Sequence, residues 1–405
     1  MHSRAVRNWE MGSSKSTRNP PVKRPVHQVC LLQDQCRCET AIAPSNPRSR
    51  CRSHGASGDD HEVRRSSRDA TTPSVDKRPH RIWRWTGRVL LGVVALIVFL
   101  LALGASYEAF MAAGDAERYP ARGQLVDVGG YRLHISCVGE GSPTVVLDAG
   151  LGGFSLDWSL VQPELAATTR VCAYDRAGYG WSDPSPHART PSQIADELHT
   201  LLVNAGIQGP YVLVGHSAAG KHVRLYASRY PQAVAGMVLI DARHESVDTN
   251  RSPEALAAEH TQQQRFQRMI WAAARIGLVR AFWAAAWPQV FPTTQNLSTE
   301  TRAEIGVLQA RSQQVKTVLR EDALLTHDNA QLSSATSLGN LPLIVLAAEQ
   351  NVEHDPLWLP AQQEMARLSS NAKLVVVDGS SHYIHWDQPA LVVDAIRQVV
   401  QAARS

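Results

Sequence analysis

At 405 residues and 44% hydrophobic composition, the chain can bury one large core or two ordinary ones. Its formal charge of +4 originates at the front, where residues 1–88 carry 18 Lys and Arg against 8 Asp and Glu and leave the remainder net negative. The overall charge therefore makes no case for nucleic-acid binding by the folded part, and no nucleic-acid partner is expected; six cysteines are too few for a scaffold built on disulfides.

Residues 1–80 are rich in Arg, Ser, Pro and Asp without apolar periodicity, so they cannot offset chain entropy by burial and are expected to form a disordered basic tail. Four cysteines (Cys30, Cys36, Cys38, Cys51) fall there near His54 and His61, but their spacing matches no zinc pattern and they read as free thiols. Residues 89–107 contain no charge and, at about 1.5 Å per residue, are long enough to cross roughly 30 Å of hydrocarbon. Arg78, Arg81, Arg84 and Arg88 precede this run with Trp83 and Trp85, whereas Glu108, Asp115 and Glu117 follow it before Arg118. The segment 81–110 thus reads as one transmembrane helix with its flanks, with the N-terminus cytoplasmic and everything beyond outside. The rival is a secreted protein with a cleaved signal at Ala102 and Gly104, against which stands an apolar run longer than the roughly 7–15 residues of a signal core.

From residue 120 onward short β-branched runs alternate with longer amphipathic stretches, which predicts an α/β fold with a mostly parallel sheet flanked by helices. A hairpin is expected around Gly129-Gly130. Strands are expected over 144–148, 170–174, 211–215, 235–241, 343–346 and 373–377, and helices over 192–204, 222–229 and 389–402. Cys137 and Cys172 fall in strand-like runs and read as buried thiols. The interval 244–340 is helical and Ala-rich, interrupts the alternation, and reads as an inserted cap.

The chemistry centres on Ser217 in VLVGHSAAG, an apolar strand that turns at once into a helix. A G-x-S-x-G-like pattern alone is weak; in this context it describes a sharp elbow, with Gly215 and Ala219 small enough to let strand and helix approach. The elbow exposes the Ser217 hydroxyl and aims the Ala218 N–H at a forming oxyanion. Three further motifs join it: PTVVLDAGLGG (143–153), YDRAGYGWSD (174–183) and GSSHYIHWDQP (379–389). Together these resemble the α/β-hydrolase family over about 123–402. The resemblance implies that Leu151, just after Gly150, gives a second oxyanion N–H, and that His382 is the general base. His385 is a near rival, closer to the helix that starts at Pro389, and His216 reads as packing.

In the family the acid usually follows the strand after the cap at a G-x-x-D spacing, but here the chain runs Ala347-Ala348-Glu349-Gln350-Asn351. Asn351 cannot supply the charge that stabilises imidazolium. Asp241 at the end of VAGMVLID is preferred, because a strand end mounts a side chain rigidly; Asp355, with Glu353 beside it, is the alternative. Phe266, Met269, Trp271, Phe282, Trp283 and Trp287 in the cap, with Trp158, would favour apolar substrates. The expected activity is hydrolysis of small to medium carboxylic esters, or thioesters or amides, through an acyl-Ser217 intermediate and without a cofactor or metal. The alternatives are a non-catalytic ligand-binding domain, a carbon–carbon bond hydrolase or a perhydrolase. Epoxide hydrolases and dehalogenases are excluded more firmly, since in those relatives the elbow nucleophile is Asp.

Overall fold

The strand-like runs assemble into one nine-stranded sheet in the computed structural model, which describes residues 7–8, 79–283, 292–334 and 337–405. The strands are β1 (Arg7–Asn8), β2 (Gln124–Asp127), β3 (Arg132–Val138), β4 (Thr144–Asp148), β5 (Val171–Tyr174), β6 (Tyr211–His216), β7 (Val234–Ile240), β8 (Leu343–Ala348) and β9 (Ala372–Val377). Their spatial order is β1-β9-β8-β7-β6-β4-β5-β3-β2. The run from β5 through β4, β6, β7 and β8 to β9 is parallel, while β2, β3 and β1 join antiparallel at the edges.

Strands covered on both faces by helices need apolar side chains on both faces, and β4, β5, β6 and β8 are buried at every position. Along β6 and β7 the two faces alternate. Leu213, Met237 and Leu239 pack toward the helices Pro191–Asn204 and Ala219–Arg229, and Val212, Val214, Val238 and Ile240 toward the helix Pro389–Ala402. Because β4 lies between β5 and β6, the strand order reverses direction beside it, and the carboxyl ends at such a reversal leave a crevice. The elbow follows β6 directly, at that crevice.

Three expectations meet a different outcome. Arg7–Asn8, within the stretch read as disordered, pair antiparallel with Val375 and Val376, because the edge strand β9 offers unpaired backbone groups. Cys137 and Cys172 are joined in a disulfide rather than standing as thiols. The register explains why: β3 pairs with β5, and the two cysteines are directly opposite. Finally, the N-terminal helix runs beyond the expected 81–110 and covers Pro79–Arg118.

That helix supplies the segment Trp85–Arg118, the one stretch among the described residues long and apolar enough to cross a membrane. Its extension is held by chemistry: Arg280 binds both Glu108 (2.8 and 2.9 Å) and Asp115 (3.0 and 3.1 Å), all three side chains buried. The described residues between β7 and β8 are helical over most of their length, with long helices at Pro253–Arg275, Thr299–Ala310 and Ser312–Asp322.

Candidate active site

Strand β6 delivers Ser217 with φ of 53°, and β7 delivers Asp241 with φ of 43°; these are the only non-glycine residues with positive φ among those described. Such backbone is costly for an L-residue and persists where surrounding packing over-determines it. Gly215 shows how: a Cβ there would lie 2.8 Å from Val223 Cγ2 and 2.9 Å from the Ala219 carbonyl, so only glycine lets the helix start this close to the strand. The Ser217 N–H donates to the Ile240 carbonyl (3.1 Å), and the Asp241 N–H to that of Leu346 (2.6 Å).

The loop after β9 carries His382 between them. Its Nε2 is 2.9 Å from Ser217 Oγ and its Nδ1 2.6 Å from Asp241 Oδ2. The carboxylate accepts everything it faces: Oδ1 takes the Ala348 N–H (2.9 Å) and Trp358 Nε1–H (2.6 Å), and Oδ2 takes Asn351 Nδ2–H (2.5 Å). With Asp241 accepting, the proton of His382 sits on Nδ1 and Nε2 is left to accept from the Ser217 hydroxyl.

Asp355, the sequence alternative for the acid, is elsewhere. It is paired with Arg251 (2.6 Å) and accepts the Leu357 N–H. Asn351 is the residue that sequence reasoning undervalued, since it sits beside both partners, 3.2 Å from His382 Nδ1, and donates to Asp241. The signal in the sequence is its place in the family's acid slot.

His216 lies tilted against the His382 ring at 4.6 Å and edge-on to His385 at 4.6 Å, and both His216 and His385 are buried. Burial first, then the neighbouring imidazoles, holds His216 well below the usual range; burial takes His385 down to about 3. Both are neutral, so neither opposes a positive charge on His382. His216 Nε2 donates to the His382 carbonyl (2.9 Å) and thereby fixes the loop.

The second loop of the site follows β4. A Cβ on Gly150 would lie 2.8 Å from His216 Nδ1 and 3.1 Å from Ser217 Cβ, so the loop passes the elbow only because that residue is glycine. The buried Arg176, another residue the sequence did not single out, holds it. Its guanidinium donates to the carbonyls of Ala149 (2.5 Å) and Gly150 (2.7 Å), to Asp148 (2.7 Å) and to Glu321 of the helical insertion (2.9 Å). Burial pushes the Asp148 carboxyl up, but Arg176 and His222 hold it below the ordinary range. Neither Leu151 N–H nor Ala218 N–H has a backbone acceptor among the described residues.

Ser217 and His382 face a cavity of about 340 Å³ between this loop and the insertion, whose apolar wall includes Phe266, Ile270 and Trp283. The other aromatic expectations divide. Met269 and Phe282 are exposed and do not line it, Trp271 packs in a small cluster inside the insertion, and Trp287 lies outside the described residues, as do the tail cysteines. Trp158 is fully buried against His385 in the core beneath the sheet, so it forms no wall.

Asp157 also lines the cavity, buried, with Oδ1 unpartnered among the described residues. Burial raises its pKa from 3.8 to about 7, with Asp175 adding to the rise and Arg176 opposing it. A folded-state value above the unfolded one gives stability that is complete below the unfolded pKa and is lost as pH rises through the folded value. Asp157→Asn, which cannot ionise, should therefore unfold at a higher temperature than the unsubstituted chain at pH 8, the two converging toward pH 4. Parallel melting curves across that window would show that Asp157 ionises freely.

Residues 145–395 match the Alpha/beta hydrolase family. The chain belongs to that family. The hydrolase is similar to the uncharacterized protein YqjL of Bacillus subtilis, 25% identical over 65% of this chain and 86% of that one. It is also similar to the probable transporter efuK of Hormonema carpetanum, 28% identical over 68% of this chain, although it spans only 42% of that protein's length. Among solved structures, an esterase from Thermogutta terrifontis superposes with a TM-score of 0.54 at 23% identity, over 70% of the hydrolase and all of the esterase, a likeness of fold.

Proposed function

We propose that this hydrolase cleaves carboxylic esters of small to medium apolar acids through an acyl-Ser217 intermediate. The observation that carries the reading is the unbroken series Asp241, His382, Ser217, with spacings of 2.6 and 2.9 Å, ending in a hydroxyl that faces an apolar-walled cavity. His382 Nε2 takes the hydroxyl proton as Ser217 Oγ attacks the ester carbonyl. Asp241 fixes the ring tautomer and stabilises the imidazolium. The Ala218 and Leu151 N–H groups are the proposed donors to the developing oxyanion. The imidazolium then returns its proton to the leaving alcohol, and water activated by the same nitrogen hydrolyses the acyl-enzyme.

The insertion over 244–340 acts as the cap of this site, and Trp85–Arg118 as its membrane anchor. The arginines before the apolar run favour a cytoplasmic N-terminus. The Cys137–Cys172 disulfide supports the same orientation, since such bonds persist on the oxidising side of a membrane. Labelling by a fluorophosphonate probe tests the chemistry: the chain should label, and Ser217→Ala should not. A chain that binds ester analogues yet never labels would instead be a ligand-binding domain.

Asn351→Asp adds a second test. It places another carboxylate against Asp241 and His382 in place of a hydrogen-bond donor. Two carboxylates favour imidazolium, so the acid limb of the kcat/KM profile should move to higher pH, with turnover at neutral pH reduced. An unmoved profile would place Asn351 outside the proton path.

A further inference from the structure

Outside the N-terminal helix, seven large apolar side chains are exposed among the described residues, and four of them, Phe266, Met269, Leu278 and Phe282, fall together in the insertion. Phe266 and Met269 share one face of the helix Pro253–Arg275, and Leu278 and Phe282 are one turn apart on the helical turns that follow. Arg265, Arg268 and Arg275, all exposed, flank them. Exposed apolar side chains edged by arginine are the composition of a surface that lies in a bilayer interface.

The N-terminal helix determines where this face sits. A Cβ on Gly104 would lie 2.7 Å from the Ile276 carbonyl, and one on Gly277 2.7 Å from Tyr107 Cδ1. Gly104 precedes the end of the uncharged run by three residues, about 4.5 Å along a helix. The insertion therefore touches the helix at the depth where hydrocarbon meets headgroups, and just beyond it Arg280 is clamped to Glu108 and Asp115 and Arg311 pairs with Asp115 (3.3 Å). Those buried ion pairs keep the contact from sliding along the helix.

Resting on the anchor and hydrolase readings, we propose that the face formed by Phe266, Met269, Leu278 and Phe282 is seated in the leaflet that the N-terminal helix crosses, and that the cavity fills from that leaflet. Phe266 belongs both to the exposed face and to the cavity wall, so it stands where an acyl chain would pass from lipid to Ser217. The substrate class this selects is a bilayer-resident acyl ester rather than a freely soluble one.

The test uses the full chain in lipid nanodiscs with Cys30, Cys36, Cys38 and Cys51 replaced by serine and a spin label at Met269→Cys or Phe282→Cys. Val203→Cys, an exposed apolar site on another helix, is the reference. Labels at 269 and 282 should collide with oxygen more often and with a water-soluble nickel chelate about fivefold less often than the label at 203. Nickel access equal to that at 203 would overturn the proposal; exclusion of both reagents would overturn it too, by showing that a second copy or another protein covers the face. Failure of the chain to enter nanodiscs would defeat the anchor reading and the proposal with it.

The functional arm uses Met269→Glu with Phe282→Glu, neither of which lines the cavity. Hydrolysis of a bilayer-resident ester with medium-length acyl chains should drop about tenfold while that of a soluble short-chain ester holds. Equal rates on both esters, before and after substitution, would refute filling from the leaflet. If the unsubstituted chain hydrolyses neither ester, the hydrolase reading fails while the spin-label result still decides where the face lies.

Discussion

Replacement of Ser217 by alanine is expected to lower kcat on short p-nitrophenyl esters by on the order of 10⁶, the scale seen when the nucleophile of a comparable serine enzyme is removed. One oxygen is lost from an elbow whose backbone is held by Gly215, by the Ser217 N–H to the Ile240 carbonyl and by the Arg243 N–H to the Ser217 carbonyl. None of those contacts uses the hydroxyl, so circular dichroism and thermal unfolding should match the unsubstituted chain. A variant that is folded and turns over at the original rate would remove Ser217 from the reaction. A variant that unfolds would signal that the hydroxyl supports the strained turn, and fluorophosphonate labelling of the unsubstituted chain then carries the test.

The second expectation concerns the acid. Asp241→Asn should lower kcat by on the order of 10⁴, because an amide can present its NH₂ to His382 Nδ1 and stabilise the tautomer whose Nε2 is already protonated. At Asp241 the substitution removes charge and acceptor capacity together. Its carboxylate accepts three donors besides the histidine, from Ala348, Asn351 and Trp358, and asparagine keeps the shape while losing acceptor capacity. Asp355→Asn should leave kcat within a few-fold, since its partner is Arg251. A dead Asp355→Asn beside a nearly unaffected Asp241→Asn would reverse the assignment. If both remain active, Ser217 and His382 work as a pair without a carboxylate.

Much of this architecture is legible in the sequence, for physical reasons that differ by element. Strands β4 to β8 announce themselves because a sheet covered on both faces needs uninterrupted apolar runs, and the elbow because a strand that must turn sharply needs small residues on both sides of Ser217. Asp241 was visible as a polar residue closing an apolar strand. What the sequence hid depends on partners far away along the chain. Asn351 carries no charge to mark it in the sequence, and its amide meets Asp241 from the helix Glu349–His354, which begins directly after β8. The Cys137–Cys172 bond depends on β3 skipping β4 to pair with β5, an order no local pattern encodes. The extension of the N-terminal helix past Tyr107 is stabilised by Arg280, 172 residues from Glu108.

Arg176 has a consequence for how the molecule responds to what it binds. Its guanidinium holds the carbonyls of Ala149 and Gly150 on one side and Glu321 of the insertion on the other. Lifting the insertion would deprive a buried cation of one of its two carboxylates. The loop beside Ser217 is therefore ordered at the expense of the insertion's freedom to open. By linkage the dependence runs both ways: whatever tightens the loop also favours the closed insertion, and whatever lifts the insertion loosens the loop.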